Sequence, residues 1–197
     1  MRKLICVFTV MVLCMTSLTA FADGWTIPSR NSGNSSQSSY YSSGVSVKLT
    51  DNLATRSGPS TAYTGCGSYK MKGQTVTALS WRYDKGGVLW VEIEFSYGGG
   101  YRRAWTGAKR LNITSSQLSR LPEENSQSYL GYGTITGTVS PRFGPGNLYS
   151  TYSDRNYHWG DQVLVLASVN GYYLTECYMN DGQILRSWIP CSSVQMQ

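Results

Sequence analysis

An all-β fold is what this sequence predicts, and three observations predict it. No segment sustains the 3.6-residue apolar period of an amphipathic helix. Short runs rich in Val, Thr and aromatic residues are punctuated by Gly, Pro and Asn clusters, the pattern of strands and tight turns. And one set of landmarks is written twice. Arg56-Ser57-Gly58-Pro59-Ser60-Thr61-Ala62-Tyr63 returns as Arg142-Phe143-Gly144-Pro145-Gly146-Asn147-Leu148-Tyr149. Gly73-Gln74-Thr75-Val76-Thr77-Ala78-Leu79 answers to Gly160-Asp161-Gln162-Val163-Leu164-Val165-Leu166, and Trp105 answers to Trp188. Three landmarks in the same order mark a duplicated module. Each copy is about 65 residues, near the lower size at which one core sustains a domain, so two small cores suit the length better than one large one.

In order along the chain, Met1-Arg2-Lys3 is cationic, Leu4 to Met15 is apolar, and Ala20-Phe21-Ala22 has the form of a cleavage site. This reads as a signal peptide over 1–22, too short in its apolar part to span a bilayer. Residues 23–44 are Ser-, Asn- and Gly-rich, with Arg30 the only charge after Asp23, the composition of a flexible linker. Val45 to Leu53 alternates apolar and polar residues and reads as a strand with a turn. The Gly-Pro loop follows, because Pro presets φ for a turn and Gly adopts conformations closed to other residues. Gln74 to Trp81 is a Thr- and Val-rich strand. Val88 to Phe95 is another, with Leu89, Val91, Ile93 and Phe95 on one face and Trp90, Glu92 and Glu94 opposite. Tyr97-Gly98-Gly99-Gly100 turns the chain back into Tyr101 to Trp105. A Ser-rich connector spans 113–130, where Thr114 to Leu118 can seed one helical turn ended by Pro122. The second copy repeats the plan, with strands near 134–140, 161–168, 172–179 and 183–189 and a tight turn at Asn180-Asp181-Gly182.

Leu53 three residues before Arg56, the run Arg56-Ser57-Gly58-Pro59-Ser60 with Tyr63, the strand from Gly73 to Leu79 and a late Trp resemble bacterial SH3 domains. The first copy, 45–112, departs from that family at Ala54, where Asn is usual. The second, 131–197, is looser, with Phe143 in place of Ser57 and Gly146 in place of Ser60. The resemblance implies two small SH3-like β-barrels in tandem, of a kind frequently attached to secreted proteins and often binding cell-wall peptidoglycan.

Charge and cysteine usage narrow the setting. The formal net charge of +6 falls to +4 once Arg2 and Lys3 leave with the signal peptide, a mild field that favours anionic wall polymers or headgroups. The Lys and Arg are scattered, and an exported chain seldom meets nucleic acid, so that partner is set aside. Cys66, Cys177 and Cys191 remain after cleavage. An oxidising exterior permits a Cys177–Cys191 disulfide, and two buried thiols are the alternative.

Catalysis lacks its parts. His158 is the only histidine, and no cysteine sits in a sequence shaped like a nucleophile turn. One His and three scattered Cys give no metal-ligand spacing, so neither metal nor cofactor is expected. Glu92, Glu94 and Asp84 read as solvated edge charges, and Glu176 aligns with them only loosely, so no paired acids emerge. Aromatic side chains carry the functional signal, since their faces pack on sugars and extended peptide. Tyr63, Trp81, Tyr83, Trp90, Tyr149, Trp159 and Tyr172 are the candidate ligand-binding residues, with core packing the competing role for several of them. Arg56 and Arg142 brace their loops through carbonyl hydrogen bonds. The expectation is a secreted or envelope-associated monomer, not an enzyme, that recognises peptidoglycan stem or cross-bridge peptides through the aromatic-lined loops of both modules. The alternative is an exported adaptor or inhibitor whose ligand is another protein.

Overall fold

A computed structural model describes residues 44–124 and 128–197; the expected signal peptide and nearly all of the expected linker lie outside the described residues. The fold is all-β apart from short helical turns, and it is built as two antiparallel sheets. In β1, Val45–Leu49, Val45, Val47 and Leu49 point into the core while Ser46 and Lys48 point out, the period-2 alternation of a half-buried strand. The first sheet adds β2 (Leu53–Arg56), β3 (Gly65–Tyr69), β4 (Thr75–Tyr83), β5 (Leu89–Tyr97), β6 (Gly100–Gly107) and β7 (Leu111–Asn112). Their order is β3-β2-β6-β5-β4-β1-β7, closing over a core that includes Leu53, Ala78, Val91, Ile93 and Phe95. The second sheet holds β8 (Gly131–Ile135), β9 (Gln162–Val169), β10 (Tyr172–Tyr178), β11 (Ile184–Pro190) and β12 (Val194–Met196), in the order β11-β10-β9-β8-β12.

The duplication is visible in the strand order, since β6-β5-β4-β1-β7 matches β11-β10-β9-β8-β12. Partners of β2 and β3 shrink in the second repeat to isolated bridges, Arg142 with Trp188 and Thr151, and Val139 with Tyr157. The strand expected near 134–140 stops at Ile135, and beyond it Val139 pairs only in an isolated bridge with Tyr157. β3 was not expected, because Gly65-Cys66-Gly67-Ser68 contains no strong strand former; pairing with β2 imposes the conformation.

Residues 113–124 of the connector make more contacts than their composition suggests. Thr114 caps α1, Ser115–Leu118, through a reciprocal capping box with Gln117. Ile113, Leu118 and Leu121 then pack on the first core. Next, Trp81 N–H donates to the Pro122 carbonyl at 3.1 Å, and Glu124 N–H donates to the Trp81 carbonyl at 2.9 Å. Three apolar side chains in a polar segment are enough to hold it down, a feature that average composition hides.

Candidate functional site

The repeated loop is a small machine built on a tyrosine. Arg56 Nη1 donates to the carbonyls of Tyr63 (2.6 Å) and Thr61 (3.0 Å), and Arg142 Nη1 donates to the Tyr149 carbonyl at 2.9 Å. A Cβ on Gly58 would stand 2.2 Å from the Tyr63 ring, and one on Gly144 would stand 2.1 Å from the Tyr149 ring. Glycine is required there because each ring lies against its backbone.

Each loop then reaches the other repeat. Thr64 N–H donates to Ile184 O (2.9 Å), and Ile184 N–H donates to Ala62 O (3.0 Å). Reciprocally, Ser150 N–H donates to Tyr101 O and Tyr101 N–H donates to Leu148 O, both at 3.0 Å. Contacts exchanged in this way are the mark of a two-fold arrangement, here between repeats of one chain.

Two corresponding clusters result. In the first, the Tyr63 hydroxyl donates to Glu176 Oε1 at 2.7 Å, and Arg186 Nε donates to the same oxygen at 2.8 Å. The Arg186 guanidinium lies 5.2 Å from the Tyr63 ring centroid. In the second, the Tyr149 hydroxyl donates to Glu94 Oε2 at 2.5 Å, Arg103 Nε donates to it at 2.8 Å, and the Arg103 guanidinium lies 5.2 Å from the Tyr149 ring. Charge-assisted hydrogen bonds and a cation over an aromatic face cooperate in both.

The connector makes them unequal. Glu124 lays its carboxylate on Arg186 Nη1 and seals the first cluster, where Arg186 and Glu176 side chains keep 6% and 8% of their exposure. Arg103 and Glu94 keep 15% and 24%. We call these the closed and open clusters. Burial pushes the Tyr63 hydroxyl far above its ordinary range, with Glu176 reinforcing the shift against Arg186. Burial and the hydrogen bond to Glu94 push Tyr149 up to about 12. Between the clusters a small cavity, with room for about one water, is lined by Glu92, Arg103, Trp105, Leu174, Arg186 and Trp188. Burial raises the Glu92 carboxyl from its ordinary value; Arg103 opposes the shift and Glu124 adds to it, while the Ser80 hydroxyl donates to Glu92 at 3.0 Å.

The sequence candidates scatter over this frame. Tyr63 is buried in the closed cluster. Trp90 is buried too, its indole N–H donating to Asp84 Oδ2 at 2.9 Å. Trp81 is half-buried beside the connector, with exposed Tyr83 edge-on at 5.8 Å. Trp159 stands 79% exposed on its loop. Tyr149 and Tyr172 are brought together by the second loop, since Tyr149 belongs to it and the Tyr172 hydroxyl donates to Asn147 Oδ1 at 2.9 Å. Beside them stand two residues the sequence reading passed over, Leu148 (74% exposed) and Tyr101 (46%), whose ring is 6.3 Å from that of Tyr149.

One expectation is corrected, and one pair of alternatives is decided. Glu92 and Glu94 are not solvated edge charges, because the far face of β5 packs against the other repeat. The pairing signal was present in the sequence. Glu94 and Arg103 are nine apart, and Glu176 and Arg186 are ten apart, flanking equivalent hairpins. The Cys177–Cys191 disulfide does not form; both are free thiols, as is Cys66. Cys191 N–H bonds to Gly171 O, just before β10, whereas Cys177 lies near the far end of that strand. About six residues of strand separate them by roughly 20 Å, far beyond the reach of a disulfide.

The chain matches no family model, no curated protein and no solved structure. Among the described residues no helix is long and apolar enough to cross a membrane. Chemically, the open cluster offers aromatic faces, a guanidinium and a carboxylate on one partly exposed surface, groups suited to holding a polar amide chain.

Proposed function

We propose that the chain is an exported, non-catalytic binding protein made of two bacterial SH3-like repeats, recognising cell-wall peptidoglycan through its stem or cross-bridge peptides. The observation that carries this reading is the broken symmetry. One cluster is sealed by Glu124, and its counterpart keeps Tyr149 half-exposed beside Tyr101 and Leu148. Aromatic faces pack on extended peptide, Arg103 suits a peptide carboxylate, and Glu94 suits an ammonium group. The positive net charge favours approach to an anionic polymer. In this reading only the second loop meets ligand, while the first holds the repeats together.

Sedimentation with purified wall sacculi tests the proposal. The exported chain should pellet with sacculi, and Tyr101→Ala should lower the bound fraction about tenfold, in line with the loss of one aromatic anchor. Tyr83→Ala, remote from the second loop, should pellet like the parent. Incubated wall should release no soluble muropeptides or reducing ends. A chain that stays in the supernatant, or a Tyr101→Ala variant that pellets unchanged, would defeat this reading.

A further inference from the structure

The closed cluster already contains an occupant. Pro122, Glu123 and Glu124 run beside β4 as a short added strand, with Trp81 and Glu123 in a parallel bridge and Trp81 bonded through both its N–H and its carbonyl. That docking sets the Glu124 carboxylate on Arg186, with Arg82 at 3.9 Å from its second oxygen. Strand addition plus a charge clamp is a general way of holding an extended peptide.

Among the described residues the open cluster repeats the strand register and the Arg–Glu pair without the occupant, and Val169 stands where the closed cluster has Arg82. Ser168 of β9 pairs with Tyr173 as Trp81 of β4 pairs with Val91, so it holds the same register. Outside its sheet, the only partner of Ser168 among the described residues is the Cys191 thiol, at 3.8 Å from its hydroxyl. Arg103 keeps Nε on Glu94, as Arg186 keeps Nε on Glu176. Among the described residues no second carboxylate stands within salt-bridge distance of Arg103; Glu92 acts on it from farther away. The surroundings are less polar than in the closed cluster, because Ala167 replaces Ser80 and Leu174 replaces Glu92. The chain itself is net positive, and in residues 23–43 Asp23 is the only acidic side chain.

We propose that the open cluster takes an extended acidic peptide from another molecule, added along β9 at Ser168 with a carboxylate on Arg103, as Pro122 to Glu124 fill the closed cluster. This rests on the open-cluster reading above and narrows its ligand to chains bearing a carboxylate.

The chain's own segment is the probe. A capped, fluorescently labelled peptide with the sequence of residues 120–125 should bind the exported chain saturably by anisotropy. The same peptide carrying Glu124→Gln should bind at least about tenfold more weakly, the loss of one charge-assisted pair. Arg103→Gln, verified as folded by circular dichroism, should lose binding to a similar degree. Absence of saturable binding, or equal affinity for the two peptides, overturns the proposal. So does an Arg103→Gln variant that binds normally, which would mean exchange at the closed cluster. A chain lacking residues 23–43 that binds about tenfold more tightly would overturn the external occupant in favour of the linker. The sacculus experiment is read separately. A chain that pellets with sacculi yet ignores the peptide retires this inference alone, and one that binds the peptide yet stays in the supernatant retires only the wall reading.

Discussion

Arg186 and Arg103 stand at corresponding places in two copies of one module, and the connector gives only the first a second carboxylate. Arg186 is enclosed by Glu176, Glu124 and the Tyr63 ring, whereas Arg103 has Glu94, the Tyr149 ring and a partly exposed flank. A deeply buried guanidinium is tolerable only with its charge fully met, while a partly exposed one can leave a side to solvent or ligand. A duplicated element can therefore divide its labour without changing its central residues. Covering one copy converts it into an internal clamp, and the other keeps its capacity to bind.

The largest expected effect comes from the clamp. Arg186→Ala leaves buried Glu176 without a cation and Glu124 with only Arg82 at 3.9 Å, and it should cost about 3–5 kcal/mol in urea unfolding. Arg103→Ala should cost less than half as much, because Glu94 can recover solvation. Equal losses would erase the distinction between closed and open. A smaller contrast is expected at the tyrosines. Tyr63→Phe removes one of the donors to buried Glu176, leaving Arg186 on the same oxygen, and should cost about 1.5–3 kcal/mol, the worth of a hydrogen bond to a charged group. Tyr149→Phe should cost about 0.5–1.5 kcal/mol, nearer the net worth of an ordinary hydrogen bond. Reversed order in chemical denaturation would show that the second cluster, not the first, is the structural one.

The smallest effect is pH-dependent and concerns the ground between the clusters. Glu92 is raised in the folded state, chiefly by burial, so the native protein holds that proton more firmly than the unfolded chain. Its favourable contribution is complete below the unfolded value of about 4.3 and is lost as pH rises through the folded value. Glu92→Gln should therefore raise the melting temperature at neutral pH, and the gain should fade in acid. A gain confined to acid would mean that Arg103 and Arg186 outweigh burial.

Much of the sheet was legible because strand alternation is a local property. Val45, Val47 and Leu49 announce β1, and Val91, Ile93 and Phe95 announce the core face of β5. The opposite face of β5 was misjudged for the same reason. Glu92 and Glu94 look like solvent-facing residues within any local window, and only a second repeat packed over them makes them interior. Trp90 was weighed between groove and core, and its bond to Asp84 across a tight loop settles it inside. Of the candidate site, Tyr149 and Tyr172 were readable as aromatic residues, but Tyr101 and Arg103 gain their role from a loop more than forty residues away.

By itself the sequence determined the all-β class, the duplication, and the loop in which Arg, Gly and Tyr must stand at fixed spacing, since each follows from local sterics and periodicity. The glycine that admits a tyrosine ring and the arginine that braces its carbonyl act within eight residues. Only the tertiary structure decided that the two loops exchange contacts, that Glu124 closes one cluster, and that the other stays open. Those outcomes depend on long-range burial, which changes the cost of a charge according to what lies across the interface rather than what lies beside it in the chain.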